Sequence, residues 1–226
     1  MTATTKSIAG RAYSASARAV FGLMFAALAA GCSILPEPPA RADVYDFGPG
    51  LMAPAPEGRQ ASLPPVALAE ISTVGIPEGS SALLYRLAYA NAQQLRPYAH
   101  ARWSQPPAQL LQQALRDRLG QRRVVVLGED GIAQQVEGTG WPTVVRVELE
   151  EFSQVFSARA SSVGLVRLRA SVARAASAGD TLVAQRVFAV QRPAATQDAA
   201  GGARALAEAS AQAAEELAQW LEQQGR

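Results

Sequence analysis

The chain has 226 residues, with 18 glycines, 14 prolines, one cysteine, one histidine and a formal net charge of +2 at pH 7. That length suits one ordinary domain with tails; a lone Cys32 excludes an intramolecular disulfide framework, and one thiol with one imidazole leaves no zinc-binding set. Three of the 21 basic side chains, Lys6, Arg11 and Arg18, precede Cys32, so a chain starting at Cys32 keeps 18 against 19 acidic ones, without the clustered positive field that nucleic-acid binding needs.

Those three cations lead into the apolar run Ala19 to Ala30, which closes on the small residues Ala30 and Gly31. Basic region, short apolar region and small-residue cleavage site are the order of a secretory signal peptide, here residues 1–31. A helix of that length spans about 18 Å, short of the ~30 Å hydrocarbon core. The competing reading, an uncleaved anchor, extends the run through Cys32 to Leu35. "AAGC" resembles the bacterial lipobox, in which a small residue precedes a cysteine that is acylated and becomes the new N-terminus. The pattern prefers Leu three places before the cysteine; Ala29 stands there and Leu28 is one place early. The resemblance makes Cys32 a lipid-attachment residue, and several acyl chains at about 0.8 kcal/mol per buried CH₂ hold a protein on a bilayer stably. Ser33 follows where Asp favours inner-membrane retention, which points to the outer membrane.

Eight of the 14 prolines lie between Pro36 and Pro65, and their fixed φ and missing N–H oppose regular structure. Residues 32–62 read as a lipidated N-terminus and proline-rich tether, interrupted by "VYDF" at Val44 to Phe47 as a short strand; the folded domain is 63–226. "VALAEISTVGI" alternates as a strand and ends at Gly75 and Pro77. "SALLYRLAYANAQQLRPYAHARW" reads as two strands about a turn at Asn91, with Leu83, Tyr85, Leu87 and Tyr89 on one face. Leu110, Leu111, Ala114, Leu115 and Leu119 recur at helical spacing after Pro107 and before Gly120, an amphipathic helix. "VVVLGED" at Val124 to Asp130 is a short buried strand. Three alternating segments, with turns near Ser161 and Gly179, form an antiparallel meander. From Asp198 a long helix carries Leu206, Ala213, Leu217 and Trp220 on one stripe, with Glu208, Glu215, Glu216 and Gln219 opposite. The fold class is α/β of the α+β type: a mixed, largely antiparallel sheet with an amphipathic helix after the first strands and a long C-terminal helix packed on it.

No catalytic set emerges. Neither "GED" before Gly131 nor "GTG" at Gly138 to Gly140 supplies a phosphate cradle. His100 has no nearby acid to orient it as a base, and Glu148 and Glu150 share the solvent face of a strand. The expectation is a protein that is not an enzyme and has no metal and no cofactor.

Leu83 to Leu119 resembles the core motif of the ABC-type transport auxiliary lipoproteins, the paraquat-inducible intermembrane-transport lipoprotein family. There a Tyr-Arg strand is followed by a tyrosine strand, a Trp, a short proline segment and a Leu-rich helix. Tyr85, Arg86, Tyr98, Trp103, Pro106 and Pro107 occupy these positions, and "YDF" at Tyr45 to Phe47 matches the family's early aromatic element. The resemblance implies an outer-membrane lipoprotein held in the inner leaflet by acylated Cys32. Its implied partners are an ABC transporter and a periplasmic protein of the mammalian-cell-entry type, moving lipids or hydrophobic compounds between membranes; nucleic acid is excluded, and a homo-oligomer is left open. For Tyr85, Arg86, Tyr98 and Trp103 the choice between structural roles and partner contacts stays open at this point. The runner-up is a structural or pilot lipoprotein that assists assembly of an envelope complex, and an unrecognised hydrolase comes third.

Overall fold

A computed structural model describes residues 41–50, 63–128, 141–174 and 179–225. The expected signal peptide, Cys32 and most of the expected tether lie outside these residues. In chain order the elements are β1 (Asp43–Tyr45), β2 (Val66–Leu68), β3 (Ser72–Thr73), β4 (Ala82–Leu87), α1 (Ala88–Asn91), β5 (Ala92–Trp103), α2 (Pro107–Gly120), β6 (Val125–Leu127), β7 (Thr143–Ala158), β8 (Ser161–Arg174), β9 (Thr181–Pro193) and α3 (Ala199–Gln223).

All nine strands of the described residues belong to one sheet organised around β7. One side of β7 pairs antiparallel with β8 along its length, and β8 pairs antiparallel with β9. Its other side is shared by three short parallel strands in succession: β2 against Thr143 to Val145, β3 against Glu148 and Leu149, and β4 against Gln154 to Phe156. β6 continues outward from β2, and β5 with β1 continues outward from β4. The long ladders are antiparallel as expected. The parallel additions were not legible, because parallel partners are brought together by distant crossovers and leave no turn signal.

Alternation along β7 changes phase at a bulge between Leu149 and Glu151. Before it, Val145, Val147 and Leu149 sit opposite Val172, Ala170 and Leu168; after it, Phe152, Gln154 and Phe156 sit opposite Val166, Gly164 and Ser162. The extra residue is Glu150, whose carboxylate accepts Arg167 Nε at 2.6 Å and Arg169 Nε at 2.9 Å. Inserting one residue into one strand restores the inward face after a two-carboxylate interruption.

Both long helices cover the same face. Pro107 opens α2, where a missing N–H costs nothing, and Leu110, Leu111, Leu115 and Leu119 are buried. Asp198 caps α3 by accepting the Gly201 N–H at 2.8 Å. Leu206, Ala213, Leu217 and Trp220 of the expected stripe are all buried, and Trp220 meets Phe188 of β9 edge-on at 5.7 Å. A fully buried leucine such as Leu217 contributes about 1.5–3 kcal/mol. Six buried alanines of α3, among them Ala209 and Ala213, let the helix lie close to the sheet. Arg118 and Arg122 of α2 and its C-terminal turn bridge to Glu215 and Glu222 of α3, locking the two helices side by side.

Three local expectations change. The segment expected as one strand from Val66 breaks at exposed Glu70 into β2 and β3, since β2 is buried on both faces between β6 and β7. The turn at Asn91 is a four-residue helical turn, α1, which carries Tyr89 out to solvent and away from the face of Leu83 and Tyr85. "VYDF" does add a strand, β1, and the compact unit runs from Arg41, so the sheet recruits residues well ahead of Leu63.

Candidate functional site

The hairpin β4–β5 carries the singled-out residues, and the structure sends them in three directions. Tyr85 and Tyr98 sit on the helix-facing side, their rings 4.7 Å apart, and Tyr85 also meets Phe156 edge-on at 6.1 Å. The Tyr98 hydroxyl donates to Gln154 Oε1 at 2.7 Å, and Gln154 Nε2 donates to Ser162 Oγ at 2.8 Å. Gln154 and Ser162 are buried, so this chain of bonds satisfies polar atoms that water does not reach. Burial first, then the neighbouring Tyr85 and Asp198, pushes the Tyr98 pKa up to about 12. The phenol stays a donor at any physiological pH. Asp198 itself is held below its ordinary range, chiefly by the Gly201 N–H and next by the Thr196 hydroxyl, as suits a carboxylate at a helix N-terminus.

Arg86 points to the opposite face. Its Nε and Nη2 reach Glu151 Oε1 and Oε2 at 3.1 and 2.9 Å, a bidentate fork, while Nη1 donates to the carbonyls of Ala92 and Gln93 at 3.2 and 3.3 Å. One guanidinium therefore ties β4, β7 and the chain leaving α1. The Ser153 hydroxyl donates to the same Glu151 Oε1 at 2.5 Å. Glu151 is oriented by these bonds.

Trp103 joins neither group. It is fully buried, with Phe152 at 5.5 Å and Phe47 at 5.7 Å, both edge-on. Its Nε1 has no hydrogen-bond partner among the described residues. Phe47 follows β1 and stacks on Phe152 at 6.1 Å, so the early aromatic element plugs the core at this hairpin. Cys32 lies outside the described residues.

Sequence reading missed Gln154, Gly202 and the role of Phe47. Gln154 sits in a strand where polar and apolar residues already alternate, so nothing marks it as buried. Gly201 and Gly202 did leave a signal: two glycines inside an otherwise strong helix cost about 1 kcal/mol each and imply a close approach.

Beside the hairpin, α2, α3 and the segment after β1 enclose an open groove of about 350 Å³. Phe47, Leu110, Ala114 and Ala214 contribute its apolar lining, and Asp117 and Arg118 its polar part. Among the described residues no three His, Cys, Asp or Glu side chains converge as a metal site, and no helix is long and apolar enough to cross a membrane. The arrangement is one of internal ties and open surface.

The sequence profile of the ABC-type transport auxiliary lipoprotein component matches residues 50–218. The chain belongs to this family. The match spans the hairpin, α2, the meander and most of α3, and the resemblance read from Tyr85, Arg86, Tyr98 and Trp103 is thereby established at the level of the family. A crystal structure of a Xanthomonas campestris protein is similar at 20% identity and a TM-score of 0.57, over 80% of this chain and 92% of that one. A crystal structure of an uncharacterized protein is similar at 12% identity and a TM-score of 0.56, over 80% of this chain and 99% of that one. Both share the fold of this auxiliary lipoprotein. No functionally curated protein matches the sequence.

Proposed function

We propose that this auxiliary lipoprotein is a non-catalytic docking component at the outer membrane, anchored in the inner leaflet by acylated Cys32. It serves an ABC transporter with a periplasmic protein of the mammalian-cell-entry type, and the cargo is lipid or another hydrophobic compound. The observation that carries the reading is the use to which the family-motif side chains are put. Tyr98, Arg86 and Trp103 are committed to Gln154, Glu151 and the Phe47–Phe152 cluster, so the motif specifies a rigid body and leaves recognition to its surface. Tyr85, Arg86, Tyr98 and Trp103 are on this reading structural residues.

The geometry of attachment supports docking close to the membrane. Because β1 is part of the sheet, ten residues, 33–42, separate Cys32 from the folded body. Fully extended they reach at most roughly 35 Å. A body so placed meets partners that come to the outer membrane and does not itself cross the periplasm. Cells lacking the protein should show raised envelope permeability to hydrophobic compounds, restored by the wild-type chain and not by Cys32→Ala. Unchanged permeability on deletion favours the structural lipoprotein instead.

A further inference from the structure

The sheet ends on one side in β9, which has 13 residues and pairs, among the described residues, with β8 alone. The strands that end the sheet on its other side, β1 and β6, have three residues each. An edge strand presents a row of unpaired N–H and C=O groups, and long edges are ordinarily shortened, bulged or covered. β9 carries its irregularity at Val183, near its start, and runs in unbroken register from Ala184 to Pro193. Leu182, Val183 and Val187 stand 63%, 40% and 42% exposed.

Side chains along this edge divide by face. Val187 and Ala189 lie opposite Arg169 and Arg167, on the face away from the helices. Arg186 and Arg192 lie opposite Ala170 and Gly164, on the helix side, and both are exposed. The Arg186 guanidinium rests 4.9 Å from the Phe188 ring centroid, and neither arginine forms an ion pair among the described residues. β9 contains no carboxylate. A second copy would therefore bring four like charges to one face, which disfavours self-pairing.

We propose that β9 is a docking edge for an extended acidic segment of a partner protein, added as a tenth strand. Backbone bonds supply the attachment, carboxylates on one face of the incoming strand meet Arg186 and Arg192, and aliphatic side chains on its other face cover Val187 and Ala189. The charge of the edge selects the partner, and the inference holds whatever the cargo of the transport system.

The test uses the full chain purified in detergent and a fluorescent peptide of about twelve residues, long enough for one strand. The peptide alternates Thr and Val and carries Glu at the spacing of Arg186 and Arg192; its twin carries Lys instead. Anisotropy should show the Glu peptide binding about tenfold more tightly than its twin, with the preference falling as salt rises. The double variant Arg186→Glu, Arg192→Glu should invert the preference, and Val187→Pro, which removes an edge N–H, should weaken both peptides. Equal binding of the two peptides, or a preference that the charge reversal leaves unchanged, overturns the proposal. A wild-type dimer in sedimentation that Val187→Pro dissolves also overturns it, since a second copy then holds the edge.

Discussion

Gly202 of α3 lies so close to Gln154 of β7 that a Cβ placed on it would stand 2.1 Å from Gln154 Oε1. Gly164 of β8 makes a second such approach, with a Cβ there meeting the Ala205 carbonyl carbon and the Leu206 nitrogen at 2.6 Å. Two bare backbones thus set how deeply the C-terminal helix seats on the sheet. Gly202→Ala should destabilise the fold by about 1–3 kcal/mol, the usual cost of overpacking, although alanine is the better helix former. Urea denaturation of the variant checks this. A gain in stability would show that helix propensity outweighs the contact.

Tyr98 links that same glutamine to solvent pH. Its pKa is raised from 10.0 to about 12, so the contribution of the neutral phenol is complete below pH 10 and is lost as pH rises toward 12. Wild-type stability should fall through that window. Tyr98→Phe leaves Gln154 Oε1 short of a donor, with a cost of about 1–3 kcal/mol at neutral pH, and removes most of the alkaline slope. Denaturation curves on both proteins across the window measure the two effects together.

How far the fold could be read from the sequence follows from the range over which each element is determined. α2, α3 and the meander β7–β8–β9 are set by local periodicity: leucines at helical spacing, a proline at the first turn, alternation between polar and apolar residues. β2, β3 and the parallel pairing of β4 with β7 depend on partners some 70 residues away in sequence, such as Tyr85 with Gln154. The Leu149–Glu151 bulge was hidden for a related reason. "ELEEF" supports either phase of alternation, and only Arg167 and Arg169 on the neighbouring strand make the outward Glu150 favourable. The motif residues were legible as a group, and their separation into a tyrosine stack, an ion pair and a core tryptophan was not.

Arg86 holds its two carbonyls and Glu151 through a planar fork that an ammonium group does not reproduce. Arg86→Lys should lose more than half of the stability that Arg86→Leu loses, with the leucine variant down by about 1–3 kcal/mol; the pair is partly solvated, at 21% and 20% exposure. Denaturant midpoints for the three proteins decide it. A lysine variant equal to wild type would show that charge alone suffices.

The position of Phe47 against Trp103 and Phe152 moves the start of the folded body into the proline-rich span, ahead of Leu63. A chain beginning at Arg41 should be more stable than one beginning at Leu63, which lacks both β1 and Phe47. Phe47→Ala in the longer chain should account for about 2–3 kcal/mol of the difference, less than a fully buried phenylalanine because this one is half-buried. Thermal denaturation of the three chains tests it, and equal melting temperatures would place the boundary at Leu63 after all.

The most direct measurement of the transport role is co-isolation from cross-linked envelopes. The tagged full-length protein is compared with Cys32→Ala, and the recovered proteins are identified by mass spectrometry. If this is the outer-membrane component of a transport assembly, the wild-type chain carries acyl groups on Cys32 and brings down the transporter and its periplasmic partner, while Cys32→Ala recovers neither. A wild-type protein with an unmodified Cys32 thiol, or one that recovers the same proteins with and without the cysteine, would contradict it.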